Sequence, residues 1–274
     1  MTTTEQIRKE TVGIKEQSLA NLLSGYGSLA IAFSGGVDST LLSLLAKKYV
    51  KGKVLLVNAH TPFSTEEEGE FVKRWAKEND ISIEVADFDI LKVAEVQNNP
   101  PDRCYHCKKT LMKEVFAIAK KYEITQVADG SNIDDLSDYR PGSKATEELG
   151  ILHPFIEANI TKTDIRQLSK KYNLENADAP AQACLATRLP TNTRLLDEDL
   201  RQIERAEIYL HALGFLSCRV RKFGTTAKIE IHLVQIMEFI FQREKIVAYF
   251  KELGFKNITL DLEGYKQGSM NTKS

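Results

Sequence analysis

Two groups of residues have the types and spacing to do chemistry: the run Ser34-Gly35-Gly36-Val37-Asp38-Ser39-Thr40, and the cysteines Cys104, Cys107 and Cys184. The apolar stretch Leu29-Ala30-Ile31-Ala32-Phe33 leads into the first, and an apolar-periodic segment from Leu41 to Tyr49 follows it. That order predicts a buried strand, a tight glycine turn and a helix N-terminus. Adjacent Gly35 and Gly36 let the backbone approach a ligand and turn its N–H groups outward. Ser34, Ser39 and Thr40 add hydroxyl donors, and the helix end favours an anion. The stretch reads as a phosphate cradle. It lacks the lysine of G-x-x-x-x-G-K-[ST], so it is not an ordinary P-loop. Asp38, an acid among phosphate donors, is accounted for if it meets the phosphates through Mg²⁺, which takes hard oxygen ligands.

Cys104 and Cys107 have C-x-x-C spacing, which lets two thiolates face one metal from a turn. Pro100 and Pro101 stop the preceding segment, and Leu111 to Tyr122 reads as a helix, so the pair is expected at a helix entrance where thiolates are favoured. Cys184 lies in the aperiodic stretch from Ala179 to Pro190. Three thiolates suit a zinc site completed by a fourth ligand such as His106, or a [4Fe–4S] cluster with one open iron; they also suit three unrelated cysteines. Cys218, flanked by Arg219, reads as packing.

The elements that must position these groups follow in order. Ile7 to Leu23 reads as a leading helix, Val54 to Asn58 as a second strand, Ser64 to about Asn79 as a helix opened by a capping box, and Ile81 to Phe88 as a third strand. Gln126 to Asn132 reads as strand four with its carboxyl-end loop, Ile151 to Ile156 as a fifth strand, and Lys162 to Tyr172 as a helix. Strands alternating with helices predict right-handed βαβ units: an α/β fold, a doubly wound parallel sheet with ligands at the carboxyl ends of its strands. The polar loop carrying Asp134, Asp135, Asp138, Tyr139 and Arg140 is placed for nucleotide or substrate contact. The chain then changes character. A helix from Leu196 to Leu213, a hairpin from Ser217 to Phe223 and Lys228 to His232, a helix from Ile236 to Leu253 and a strand from Asn257 to Leu262 make a small α+β module. The expected division is residues 1–192 and 193–274.

Lysine plus arginine number 37 and aspartate plus glutamate 38, a net charge of −1 that argues against a nucleic-acid partner held by overall charge. The opening residues lack the apolar core of a signal peptide, and no run approaches membrane-spanning length, so a cytoplasmic, reducing setting is expected. Four cysteines there suit metal binding or catalysis better than disulfides.

Ser-Gly-Gly-x-Asp-Ser after a first strand resembles the signature of the PP-loop ATP pyrophosphatases. That resemblance implies cleavage of ATP between the α and β phosphates with adenylation of a substrate oxygen, and places Asn58 in the region near the adenine. Further segments sharpen it: Asp129-Gly130, Asp138 to Gly142, Ala183-Cys184-Leu185-Ala186-Thr187-Arg188-Leu189-Pro190, Arg219-Val220-Arg221, and Asp261-Leu262-Glu263-Gly264-Tyr265 with Gly268 to Asn271. Together they resemble the LarE family over nearly the whole chain. The resemblance implies an ATP-dependent sulfur transferase that adenylates a carboxylate of a pyridinium dicarboxylate mononucleotide and replaces an oxygen with sulfur, in nickel-pincer nucleotide biosynthesis. One version of the family sacrifices a loop cysteine. The other binds a [4Fe–4S] cluster through three cysteines, and Cys104, Cys107 and Cys184 match it. Ser34, Gly35, Gly36, Asp38, Ser39, Thr40, Asn58 and Gly130 are then the nucleotide residues. Arg140, Arg188, Arg219 and Arg221 become substrate residues, with Cys184, Asp38 and Arg188 at the chemistry. Glu207 and Glu230 match family acids without an assigned role. Sulfide or a sulfur-delivering protein is implied as a partner, and a homohexamer as the assembly. The rivals are a tRNA thiolation enzyme of the same superfamily, a zinc-containing nucleotide-binding protein without catalysis, and an amide-forming synthetase, which would give the cysteines no task.

Overall fold

A computed structural model describes residues 3–136, 141–179 and 183–265. The chain divides into two compact units, one of Met1–Thr61, Glu66–Phe88 and Asp102–Gln182, the other of Pro62–Thr65, Asp89–Pro101 and Ala183–Ser274. Residues 183–192, read from sequence with the first domain, go with the second unit.

The first unit begins with α1 (Thr3–Ser24), β1 (Leu29–Ala32), α2 (Val37–Tyr49), β2 (Val54–His60), α3 (Glu66–Glu78) and β3 (Ser82–Asp87). After the short α4 (Ala94–Gln97), which belongs to the second unit, come α5 (Arg103–Lys121), β4 (Val127–Ala128), α6 (Pro141–Glu148), α7 (Pro154–Glu157) and α8 (Lys162–Lys171). The strands form one parallel sheet in the order β3-β2-β1-β4, with Leu29 opposite Val54, Ala30 opposite Val127 and Leu55 opposite Ser82.

The doubly wound architecture follows from side-chain alternation in strands that are apolar on both faces. Leu29, Ile31 and Leu56 point into a core with Leu19 and Leu23 of α1, Leu41, Leu42 and Leu45 of α2, and Ile165 and Leu168 of α8. Ala30, Leu55 and Val57 point the other way, onto Met112, Val115 and Ile118 of α5. The expected strand from Ile151 to Ile156 is not there. Leu152 makes a single parallel bridge to Ala128, and Pro154, which has no N–H to donate, opens α7 instead.

The second unit continues with α9 (Asp197–Ala212), β5 (Arg219–Phe223), β6 (Thr226–Glu230), α10 (Ile236–Phe241), α11 (Arg243–Glu252) and β7 (Asn257–Leu260). Strands β5 and β6 pair antiparallel, and β6 pairs parallel with β7. One face of the sheet, with Val220, Ala227 and Ile229, packs on Ala206 and Leu210 of α9 and Phe250 of α11. Where one helix was expected over Ile236 to Leu253, Gln242 stands at φ −95°, ψ 3° and ends α10 before α11 begins. Its N–H goes to the carbonyls of both Glu238 and Phe239, the tightened last turn of a helix end. Glutamine is an ordinary helix former, so the pattern carries no sign of the break.

Phe250 is fully buried in the second core. Phe250→Ala is expected to cost about 3–5 kcal/mol of unfolding free energy, read by urea denaturation; a loss under about 1 kcal/mol would mean that this core is not the one that holds the unit.

Candidate functional site

The turn from β1 into α2 is built as a cradle. Gly35 sits at φ +79°, and a Cβ there would lie 2.9 Å from Val72 Cγ1 and 3.0 Å from Phe71. Only glycine satisfies both the backbone angle and the space. Ser34 Oγ lies 3.2 Å from Ser39 Oγ, whose hydroxyl also donates to the Gly36 carbonyl at 3.0 Å, and Thr40 Oγ1 donates to the Gly35 carbonyl. Asn176 Nδ2 braces the turn through the Gly35 carbonyl at 3.0 Å and Thr40 Oγ1 at 3.1 Å. Asn58, expected near an adenine, donates its side-chain amide to the Phe33 carbonyl at 2.7 Å and so holds the end of β1.

Asp38, in the first turn of α2, has a cation beside it. Lys162 Nζ lies 2.6 and 2.5 Å from its two carboxylate oxygens. Lys162 is the first residue of α8, fixed there by the capping box of Thr161 and Asp164, and its own N–H goes to Asp134 Oδ2 at 2.8 Å. The cradle therefore has a lysine, delivered from a helix 124 residues further along the chain. Its local signal is the Thr161–Asp164 capping box at the start of α8; its partner cannot be read from the sequence. Asn176 carried no signal.

The loop after β4 presses on this turn. A Cβ on Gly130 would lie 2.9 Å from Ser39 N and 3.0 Å from Asp38 C, so two backbones meet with no side chain between them. The preceding Asp129 is buried. Its carboxylate takes Lys108 Nζ at 3.1 Å, shares a hydrogen bond with His153 Nδ1 at 2.8 Å and accepts from Ser131 N at 3.1 Å. Burial raises its pKa, but the Lys108 charge and the His153 contact outweigh this and hold it well below the usual carboxylate range.

Lys108 follows Cys107 on α5. That helix starts at Arg103, ahead of the Leu111 expected, so Cys104 and Cys107 sit three apart in its opening turns, the first exposed and the second half-buried. Arg103 Nη2 approaches Cys104 Sγ at 3.6 Å. His106, the sequence candidate for a fourth metal ligand, has Nε2 3.1 Å from Asp102 Oδ2. Cys184 belongs to the second unit and is exposed. Among the described residues, no group of three or more His, Cys, Asp or Glu side chains converges as a metal site.

Around Cys184 the arginines are not a basic edge. Arg188 is buried, its Nε and Nη2 each 3.0 Å from a different oxygen of Glu207. Burial pulls its pKa down and Glu207 more than reverses that, so it stays charged. Arg221 is buried against Glu230 in the same two-pronged way, at 2.8 and 3.0 Å. Glu207 and Glu230, unassigned from sequence, are thus the partners of the two arginines. Arg219 lies over the Tyr265 ring at 5.0 Å and donates to the Cys218 carbonyl at 2.7 Å. Burial, with the Glu207 charge adding to it, pushes the Cys218 thiol up to about 12; it is a packing residue, as expected. Arg140 and Asp138 lie outside the described residues.

A parallel sheet wound on both faces, with a glycine turn opening the helix after its first strand, defines an α/β protein of the PP-loop type. No protein-family model matches the chain. It is 33% identical over 262 residues to the pyridinium-3,5-bisthiocarboxylic acid mononucleotide synthase of Lactiplantibacillus plantarum, spanning 95% of either chain. It is also 37% identical over 261 residues to the uncharacterized protein slr1717 of Synechocystis (93% of this chain, 97% of that one). A third relative, the uncharacterized protein MJ0830 of Methanocaldococcus jannaschii, is 34% identical over 238 residues (87% and 90%). The chain belongs to the LarE family.

Gly130→Ala is expected to lower stability by about 1–3 kcal/mol, because backbone rather than a flexible side chain must yield; an unchanged melting temperature would refute the close approach. Asp129 is ionised in the native state below its ordinary value of 3.8. Its contribution is therefore complete above that value, fades as pH falls below it, and is lost once pH has passed through the lower native one. Urea melts from pH 6 to 3 should show wild type above Asp129→Asn by a constant margin until about pH 4, and by less below it. A margin that widened in acid would reverse the sign of the shift.

Proposed function

We propose that the protein is an ATP-dependent sulfur transferase that adenylates a carboxylate of a pyridinium dicarboxylate mononucleotide and converts it to a thiocarboxylate, in nickel-pincer nucleotide cofactor biosynthesis. The observation that carries the reading is the similarity, over 95% of either chain, to a pyridinium-3,5-bisthiocarboxylic acid mononucleotide synthase, in a chain that carries both the glycine cradle and the cysteines. A carboxylate is a poor electrophile because oxide is a poor leaving group. In this reading its oxygen attacks the α-phosphorus of ATP and pyrophosphate departs with the electron pair. Gly35, Gly36, Ser39 and Thr40 receive the phosphates at the start of α2, where N–H groups and the helix dipole favour anions. Lys162 beside Asp38 supplies the positive charge that developing pyrophosphate requires. A soft sulfur nucleophile then adds to the acyl carbon, and AMP leaves with the acyl–oxygen pair.

Magnesium on Asp38 would offset phosphate charge, and a [4Fe–4S] cluster on Cys104, Cys107 and Cys184, which are thiolates of the kind that ligate iron, would supply sulfide on an iron without a protein ligand. The Cys184 thiol itself is the alternative donor, consumed once. Sulfide or a sulfur-delivering protein would reload the first. Arg219, on the rim of the β5–β6 face, is offered for the substrate phosphate. The proposed setting is the reducing cytosol; among the described residues no helix is long and apolar enough to cross a membrane. The proposed assembly is a homohexamer, supported by exposed Val234, Met237 and Phe241 on the second unit, apolar surface of the kind that subunit contacts cover.

Release of AMP and pyrophosphate in equal amounts, dependent on the mononucleotide, is the expected result with anaerobically purified protein. Turnover stimulated by tRNA instead would place it among the tRNA thiolation enzymes. Lys162→Met is expected to lower that turnover on the order of 10²-fold, as loss of one charge-stabilising donor does. An unchanged rate would remove Lys162 from the chemistry. About four irons and four sulfides per chain, lost on Cys104→Ala, are expected for the cluster form. Iron-free protein that instead loses the Cys184 sulfur after one turnover would show the sacrificial form.

A further inference from the structure

We infer that Arg188 and Arg221 are positioning residues for the Cys184 loop, acting through the main chain of residues 183–188. Each guanidinium has two of its nitrogens committed to one glutamate, and all four side chains of the two pairs are buried, at 4% and 6% exposure for the arginines and 7% and 2% for Glu207 and Glu230. Removing either glutamate would leave an arginine buried and unpaired, which is strongly unfavourable, so each pair fixes its guanidinium in place.

The remaining nitrogen of each arginine is spent on the loop. Arg188 Nη1 reaches the Ala183 carbonyl at 2.5 Å, the Cys184 carbonyl at 3.2 Å and Thr187 Oγ1 at 3.1 Å. Arg221 Nη1 donates to the Thr187 carbonyl at 2.9 Å. The Cys184 carbonyl also accepts from Thr187 N at 2.9 Å and Thr187 Oγ1 at 2.8 Å, so one carbonyl holds three donors while its side chain stays exposed. Glu207 in turn accepts from Val220 N at 2.9 Å, which anchors the assembly to β5. Two ion pairs, each with its own contact to the loop, thus connect the hairpin to the backbone of an exposed thiol.

The test is the iodoacetamide alkylation rate at Cys184, followed by peptide mass spectrometry on the full chain with Cys104 and Cys107 as internal references. Glu207→Gln removes a negative charge near the loop and Arg188→Met a positive one. A through-space effect on the thiol would move the rate in opposite directions; a released loop raises it several-fold in both. The second result is expected, and the first, or no change, overturns the inference. Should either variant fail to fold, the double variant Arg188→Met with Glu207→Leu replaces the ion pair by apolar side chains, a change that folds tolerate. It should show the same rise, and an unmoved rate in that folded protein is equally fatal. A second arm rests on the sulfur-transfer reading. Arg221→Lys, which keeps the charge but loses the two-pronged fork, should lower kcat on the order of 10–100-fold with KM for the mononucleotide held within about twofold. A raised KM at unchanged kcat would make Arg221 a ligand of the mononucleotide and overturn its positioning role. Failure of the sulfur-transfer reading would leave wild type without turnover and the alkylation arm intact.

Discussion

The carboxylate of Asp129 is the contact on which the first unit's site depends. It closes β4, and from there one buried negative charge draws in Lys108 of α5 and His153 ahead of α7. Lys108 is adjacent to Cys107, and Gly130 is adjacent to Asp129, so the same charge ties the opening of the cysteine helix to the loop that lies on Asp38 and Ser39. A buried carboxylate without such partners would be protonated or costly. With them it stays ionised and holds three segments that are distant in sequence. The cradle inherits that order, because the two backbones at Gly130 touch without a side chain to adjust between them.

The second unit solves a different problem with the same tools. One face of β5 and β6 is apolar and packs on α9 and α11. The other carries Arg219, Arg221, Lys228 and Glu230 and cannot be covered by hydrocarbon. On that face Arg221 pairs with Glu230 and Lys228 with Asp261, while Arg188 of the 183–188 turn pairs with Glu207 of α9, and Arg221 also donates to the Thr187 carbonyl of the turn. Buried ion pairs are weak evidence for stability in themselves, since desolvation offsets most of the attraction. What they provide is geometry, because the planar guanidinium serves a carboxylate and a set of carbonyls at fixed angles.

Several elements could be read from the sequence because a local cause sufficed. The alternating strands and periodic helices placed β1, α2, β2, α3, β3, α8 and α9 within a few residues. Others failed for identifiable reasons. The run from Ile151 was apolar enough for a strand, but Pro154 ended pairing after one bridge. Helix α5 began at Arg103 because nothing in Arg103 to Thr110 opposes helix, whereas the apolar stripe that marks it to the eye starts only at Leu111. The break at Gln242 has no breaker residue.

By itself the sequence determined the glycine cradle, the spacing of Cys104 and Cys107, the α/β class and the kinship with the LarE family, because each of these depends on residue types at short, fixed separations. Only the tertiary structure decided the partners. Lys162 meets Asp38 from 124 residues away, and Arg188 finds Glu207 across 19. A charge looks the same in sequence whether it faces solvent, a ligand or a buried counter-ion. Which of these it faces is set by the packing that brings its neighbours within 3 Å, and that packing is a property of the whole fold.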